Sequence, residues 1–177
     1  TAPIQITLSD SAKNHFSYGV GLVTFFGHGS YTGFDQAIDD PNSYNNAVKY
    51  PLFIANSCYS GDIHTYDAFT NSEKFVLANQ KGSIAFIAAT SVGFVNELNG
   101  YTYYTYKGLS HTHYNRTIGE IIKNTCTVLY FSQPQQQFTN VDMTLHGDPA
   151  LKFSPGALPD YFIDNSRVFF DTKTYTD

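Results

Sequence analysis

Three short apolar segments, at residues 20–26, 51–55 and 82–89, constrain the fold more than any other feature of this sequence. Each segment is too short for a buried helix, and each is apolar almost throughout. That pattern is typical of strands covered on both faces, as in a parallel sheet. Residues 67–80, between the second and third segments, are long enough for a crossover helix. The sequence therefore predicts strand, helix, strand units in an α/β fold.

A histidine and a cysteine follow the first two segments. The motif Gly27-His28-Gly29-Ser30 ends the first, Asn56-Ser57-Cys58 ends the second, and Thr90-Ser91 comes after the third. Because the carboxyl ends of parallel strands share one edge, where open α/β folds bind ligands, we expect these motifs to converge. A thiol and an imidazole are the groups that nucleophilic catalysis needs, with Cys58 attacking and His28 delivering a proton.

Length and charge limit the remaining possibilities. The chain has 177 residues, 42% of them hydrophobic, which is enough for one domain with its own core. A net charge of -5 with only ten Lys and Arg argues against a nucleic-acid or anionic-membrane partner. No apolar stretch approaches transmembrane length, and the first residues lack the basic and apolar regions of a signal peptide. We therefore expect no membrane span.

The two cysteines have different surroundings. Cys126 falls in a segment with helical apolar spacing, at residues 118, 121, 122, 126 and 129, and is expected to be buried and inert. Cys58 follows a strand and is flanked by small residues that leave its sulfur approachable. The redox compartment stays open.

The other segments predict a short amino-terminal helix (residues 8–18), a loop or broken helix (35–49), two longer helices (96–107 and 118–130) and a solvated loop (132–140). In residues 143–153 a turn is predicted to lead into another strand. Residues 160–170 alternate like antiparallel β-structure. We therefore divide the chain into one domain at 1–155 and, at 156–177, a linker with the candidate first strand of a following β-sandwich domain.

Together with Gly147-Asp148-Pro149-Ala150-Leu151, the histidine and cysteine motifs resemble those of gingipain-like cysteine peptidases, in the caspase-like clan. The resemblance covers residues 20–153. Ser57-Cys58-Tyr59-Ser60-Gly61 is also similar to the metacaspase cysteine box, so the first two motifs indicate the clan. The segment 147–151 favours the gingipain branch, which includes the peptidase-like sortases of type IX secretion.

This resemblance implies a caspase-like three-layer α/β/α fold with a mostly parallel sheet, present here as the carboxyl-terminal half of the peptidase unit. It assigns the oxyanion hole to the backbone N–H groups of Gly29 and Cys58. The pocket wall would be the segment Thr90, Ser91, Val92, Gly93 and Phe94. The implied partners are a protein or peptide substrate and a preceding half of the same domain, which would supply an acidic residue to orient the histidine. The resemblance also implies a secreted or cell-surface bacterial enzyme, and the chemistry requires no cofactor.

Other interpretations remain open at this point. The chain could be a catalytically silent peptidase-like module that binds protein, or a metacaspase-like enzyme, for which calcium dependence would be the sign. Asp62-Ile63-His64 and His111-Thr112-His113 are spaced too closely, without a second cluster, to predict a metal site. His146 is available as an acid or base, but turn and strand-entry roles explain its surroundings.

Overall fold

The computed structural model of the protein describes residues 10–38, 40–65, 69–132 and 137–153. Predictions for residues 8–9 and for the segment 156–177, including the candidate strand at 160–170, lie outside the described residues. The division into domains therefore remains a prediction.

Each of the three apolar segments forms a strand. The strands are β1 (Leu22–Phe26), β2 (Leu52–Asn56), β3 (Ala85–Ala89) and β4 (Met143–Gly147), in the sheet order β1-β2-β3-β4. The first three are parallel, and β4 runs antiparallel to β3. Phe26 pairs with Asn56, so the residues two positions beyond each strand, His28 and Cys58, leave the sheet at the same edge.

Five α-helices surround this sheet in the described part of the chain. They are α1 (Asp10–Tyr18), α2 (Asn71–Leu77), α3 (Val95–Lys107), α4 (Ile118–Ser132) and α5 (Gln137–Asp142). A 3-10 turn (Pro41–Ser43) follows β1, and a π-helical turn (Gly108–Thr112) extends α3. α4 begins with reciprocal bonds, because Thr117 Oγ1 accepts from the Glu120 N–H at 3.2 Å while Glu120 Oε2 accepts from the Thr117 N–H at 3.0 Å.

Two separate apolar cores lie on the two faces of the sheet. Alternate residues of β2 and β3 point to opposite faces. One core packs Ile54 and Ile87 against α3 and α4, and the other packs Phe53 and Phe86 against α1 and α2. The rings of Phe53 and Phe86 stack at 4.5 Å between centroids. This three-layer, mostly parallel arrangement confirms the predicted fold class.

Three details differ from the sequence predictions. β1 is not covered on both faces, since it lies at the edge of the sheet formed by the described strands and its Thr24 and Phe26 are exposed. Residues 137–142 form α5 and not a solvated loop, because Thr139 and Asp142 are buried. In residues 143–153 the strand comes first and the turn follows it.

Candidate functional site

The loop after β1 presents His28 at the sheet edge. The Gly27 N–H donates to the Asn56 carbonyl at 3.2 Å, so the chain stays attached to β2 as it leaves the strand. The loop then folds back, and the Asp35 N–H donates to the His28 carbonyl at 3.0 Å. Asp35 Oδ2 accepts from the His28 N–H at 3.4 Å. The sequence did not single out Asp35, because its contact depends on a turn that no local pattern predicts.

The loop after β2 presents Cys58, which is half-buried. The Tyr59 N–H donates to the Ser91 carbonyl at 2.7 Å, and the Gly61 N–H donates to the Ala89 carbonyl at 2.9 Å. These bonds continue the contact between β2 and β3 beyond the strands. The thiol therefore projects from a loop that is fixed to the neighbouring strand end.

The histidine and cysteine loops are in direct contact. A Cβ added at Gly29 would lie 2.7 Å from both Cβ and Oγ of Ser57, and 2.9 Å from Ser60 Oγ. Real Cβ atoms do not approach other atoms so closely, so only glycine fits without a shift. The close backbone approach places His28 and Cys58 on adjoining loops. The sequence predicted that the motifs after these strands would converge.

The side chain of Asn56 links the ends of β1 and β2. It is 1% exposed, and its Nδ2 donates to the Phe25 carbonyl at 3.3 Å. Its Oδ1 accepts from Thr102 Oγ1 of α3 at 2.6 Å. A buried amide with both ends bonded fixes β1, β2 and α3 relative to one another. The polar residue at the end of an apolar strand was the signal for this role, which the sequence analysis missed.

The side chains of His28 and Cys58 do not hydrogen-bond to each other. The Cys58 thiol faces the Gly93 carbonyl, with Sγ 3.9 Å from the oxygen. The exposed His28 ring makes no hydrogen bond within the described residues. The structure thus brings the two loops together without a thiol–imidazole bond.

Two backbone donors at this edge are available. In the described part of the chain, neither the Gly29 N–H nor the Cys58 N–H donates a hydrogen bond. Gly29 pairs with Phe34 in an isolated antiparallel bridge. The two hydrogen bonds of this bridge are donated by the N–H groups of Ser30 and Asp35, so the bridge does not use the Gly29 N–H. Free N–H groups on adjoining loops are the donor type that stabilises an oxyanion.

The segment after β3 forms the third side of this edge. Ser91 and Gly93 contact the cysteine loop through their carbonyl groups, as described above. Val92 is 40% exposed and Phe94 is 52% exposed. The Phe94 ring meets Phe138 of α5 edge-on, with 6.0 Å between centroids. The segment therefore presents an apolar surface next to the thiol-bearing loop.

Thr90 faces away from this surface. Its N–H donates to the Asp142 carbonyl at 3.0 Å, and its Oγ1 donates to Asp142 Oδ1 at 2.8 Å. Asp142 is a buried residue at the end of α5. Thr90 is therefore a structural link to α5, and the sequence could not indicate it because α5 itself was not predicted.

Cavity size does not point to the site. The depression bordered by His28, Gly29 and Asp35 measures about 240 Å³. A larger one of about 470 Å³ lies between the 3-10 turn and α2, lined by Asp40, Phe69 and Leu77 among others. We place the site at the smaller depression, because it adjoins the two motif-bearing loops.

Cys126 is half-buried on α4, where its thiol faces the Asn140 carbonyl at 3.8 Å. It is more accessible than the sequence predicted. Burial nevertheless raises the pKa of the Cys126 thiol. A raised pKa lowers the thiolate fraction at neutral pH, so we expect Cys126 to be a weak nucleophile.

His146 is half-buried on β4. A Cβ at Gly61 would lie 3.0 Å from His146 Nε2, and that nitrogen lies 2.9 Å from Thr144 Oγ1. Burial lowers the pKa of His146, and the Glu73 carboxylate on α2 opposes this effect in part. The folded protein therefore favours the neutral imidazole.

This burial predicts a pH-dependent stability. Below the ordinary histidine pKa of 6.5 the unfolded chain binds a proton at His146 that the folded chain resists. The contribution of His146 to the free energy of unfolding is therefore full above 6.5 and decreases as the pH falls towards the lower folded pKa. We expect His146→Gln to flatten this decline. Urea midpoints measured between about pH 7 and 5 would show it, and parallel curves for both proteins would contradict it.

The described residues contain neither a cluster of metal ligands nor a membrane-spanning helix. No group of three or more His, Cys, Asp or Glu side chains is placed to hold a metal ion in that part of the chain. None of the helices described is long and apolar enough to cross a membrane.

The fold and the edge loops define a caspase-like α/β protein with histidine and cysteine loops side by side. Residues 5–154 match Peptidase family C25. The chain belongs to this family, the gingipain family of cysteine peptidases. The resemblance found from the motifs is thereby confirmed, whereas the type IX branch remains a prediction.

Solved structures agree with this assignment of fold. The Arg-specific cysteine proteinase gingipain R superposes with a TM-score of 0.72 at 22% identity, over 82% of this chain and 36% of that one. The complex of the Porphyromonas gingivalis RgpB pro- and mature domains gives 0.70 at 22% identity, over 79% and 36%. A structure described as a protease gives 0.69 at 16% identity, over 86% and 38%. This chain thus spans little more than a third of each; no curated protein matches it significantly.

Proposed function

We propose that this chain carries the catalytic loops of a cysteine endopeptidase that hydrolyses protein or peptide substrates. The observation that supports this most is the contact of Gly29 with Ser57 and Ser60, which joins the histidine loop to the cysteine loop. Membership of a cysteine peptidase family adds to it.

In the proposed mechanism, Cys58 Sγ attacks the carbonyl carbon of the scissile bond as a thiolate. The developing oxyanion accepts hydrogen bonds from the free N–H groups of Gly29 and Cys58. His28 donates a proton to the departing amine, which leaves a thioester on Cys58. Water then attacks the thioester, and His28 accepts its proton as the acid product departs. No step requires a cofactor. The His28 ring is exposed and makes no hydrogen bond to the described residues, so it can approach the thiol when substrate binds.

The partners follow from the same proposal. β1 has one sheet neighbour among the described strands, so its outer edge is open to pairing. We assign that edge to a preceding half of the peptidase domain, which would also supply the residue that orients His28. Secretion or display at the cell surface is part of this proposal and is based on the family.

An inactivation experiment tests the proposed function. Iodoacetamide is added in steps to the chain, residual hydrolysis of a mixed peptide library is measured, and mass spectrometry quantifies modification at Cys58 and Cys126. We expect activity to fall in proportion to modified Cys58. Full modification of Cys58 with unchanged hydrolysis, or modification of Cys58 that is no faster than that of Cys126, would contradict the proposal.

We further propose that the segment predicted as the pocket wall binds the substrate through residues 91–94, with Phe94 as the main apolar contact, whereas Thr90 links the segment to α5. Phe94→Ala is expected to raise KM for peptide substrates about tenfold with little change in kcat, because the lost contact is made equally in the ground and transition states. Tyr18→Ala is the matched control, since Tyr18 is 83% exposed at the opposite end of the strands. A fall in kcat without a change in KM would contradict this role.

A further inference from the structure

We propose that the first turn of α2 positions both loops of the site, and that Asn71 is a positioning residue for His28. This inference rests on the proposed function, since it concerns how the same two loops are held. α2 supplies neither the nucleophile nor the proton donor. Its contacts reach the carbonyl groups just after His28 and Cys58.

The start of α2 is fixed by its own sequence. Thr70 Oγ1 accepts from the Glu73 N–H at 3.4 Å, and Glu73 Oε2 accepts from the Thr70 N–H at 2.8 Å. This reciprocal capping box defines where the helix begins. The two N–H groups between these residues, those of Asn71 and Ser72, are left to bond outside the helix.

Those two N–H groups bond to the two loops of the site. The Asn71 N–H donates to the Tyr31 carbonyl at 2.9 Å, and the Ser72 N–H donates to the Ser60 carbonyl at 3.2 Å. One helical turn therefore contacts the histidine loop and the cysteine loop through adjacent residues. Any shift of α2 would move both loops.

Side chains of α2 make further hydrogen bonds to the histidine loop. Asn71 Nδ2 donates to the Ser30 carbonyl at 3.2 Å, and Lys74 Nζ donates to the Thr32 carbonyl at 2.8 Å. With the Asn71 N–H, α2 thus bonds to three consecutive carbonyl groups of residues 30–32. Ser30 follows Gly29 directly, so these bonds fix the backbone beside His28.

The buried amide of Asn71 is better explained by its positioning of the histidine loop than by a contribution to the stability of the fold. Asn71 is fully buried, and its Oδ1 has no hydrogen-bond partner among the described residues. A buried acceptor without a partner costs free energy, which offsets the gain from the Nδ2 bond. An apolar side chain of similar size would avoid that cost but would release the Ser30 carbonyl.

A double-mutant cycle tests this role, with the rate of Cys58 alkylation by iodoacetamide at pH 7 as the readout. The variants of the full chain are Asn71→Leu, His28→Ala and the two combined. Asn71→Leu keeps the branching and the number of heavy atoms of the side chain and removes the amide. We expect it to slow Cys58 alkylation about fivefold with His28 present and to have no effect in the His28→Ala background, because it acts through His28. Its urea midpoint should stay close to that of the parent protein.

Asn46→Leu is the matched control, because Asn46 is also fully buried and donates to the Gly82 carbonyl at 2.8 Å, in the loop before β3. It should lower the urea midpoint without changing the Cys58 rate. Equal slowing by Asn71→Leu in both backgrounds would overturn the positioning role. If His28→Ala slows Cys58 and Asn71→Leu does not, the inference fails alone. If His28→Ala has no effect, the proposed function fails with it.

Discussion

Replacement of Cys58 by alanine is expected to reduce peptide hydrolysis by about 10⁴-fold or more, the scale of losses seen when a nucleophile is removed. The Cys58 sulfur is the atom that forms the covalent intermediate in the proposed mechanism. Ser57 cannot replace it, because its Oγ lies 2.6 Å from Ser60 Oγ in a buried hydrogen bond. Initial rates on a peptide substrate, with circular dichroism to check the fold, measure the effect.

Cys126→Ala is the matched control for this variant. Cys126 lies on α4, and its burial raises the pKa of the thiol. We expect hydrolysis within about twofold of the parent rate, since this thiol takes no part in the mechanism. Loss of activity in Cys126→Ala with retention of activity in Cys58→Ala would identify Cys126 as the nucleophile and contradict the proposal.

Gly29→Ala is expected to have the second-largest effect, a loss of about 10²-fold in kcat, because an ångström-scale displacement of reacting groups costs that much. The added Cβ would meet Ser57 at 2.7 Å and Ser60 Oγ at 2.9 Å, so the histidine loop must move away from the cysteine loop. The movement displaces the Gly29 N–H and the His28 ring together. Steady-state kinetics on a peptide substrate measure the change.

Gly21→Ala provides the control at the other end of β1. Among the described residues, a Cβ there would approach only the Phe153 ring, at 3.8 Å, which is ordinary contact. Its kinetics should match those of the parent protein. If Gly29→Ala also retains full kcat, the loop contact does not set the catalytic geometry, and the proposed arrangement of the site is wrong.

The sheet was predictable because its strands carry their signal locally. The apolar segments that became β1, β2 and β3 needed no information from elsewhere in the chain, and parallel topology placed their ends together. The convergence of the loops that carry His28 and Cys58 followed from that topology. The helical spacing of α4 was likewise local. The covering of both faces was predicted correctly for β2 and β3, whose residues are all buried, but not for the edge strand β1.

The supporting residues were not predictable, because their roles depend on contacts distant in sequence. Asn71 bonds to Ser30 across 41 positions, and Thr90 bonds to Asp142 across 52. α5 was missed because it is short and polar, and its burial comes from packing against its neighbours. A single sequence carries no signal for such contacts until the fold brings the segments together.

The central claim is that His28 activates Cys58, and pH-dependent alkylation tests it most directly. The chain and its His28→Ala variant are treated with iodoacetamide from about pH 5 to 9, and mass spectrometry follows Cys58 and Cys126 separately. We predict that Cys58 reacts faster than Cys126 and still reacts near pH 6, where ordinary thiols are mostly protonated, and that His28→Ala removes this advantage. Alkylation of Cys58 that is no faster than that of Cys126, or that is unchanged without His28, would contradict the account.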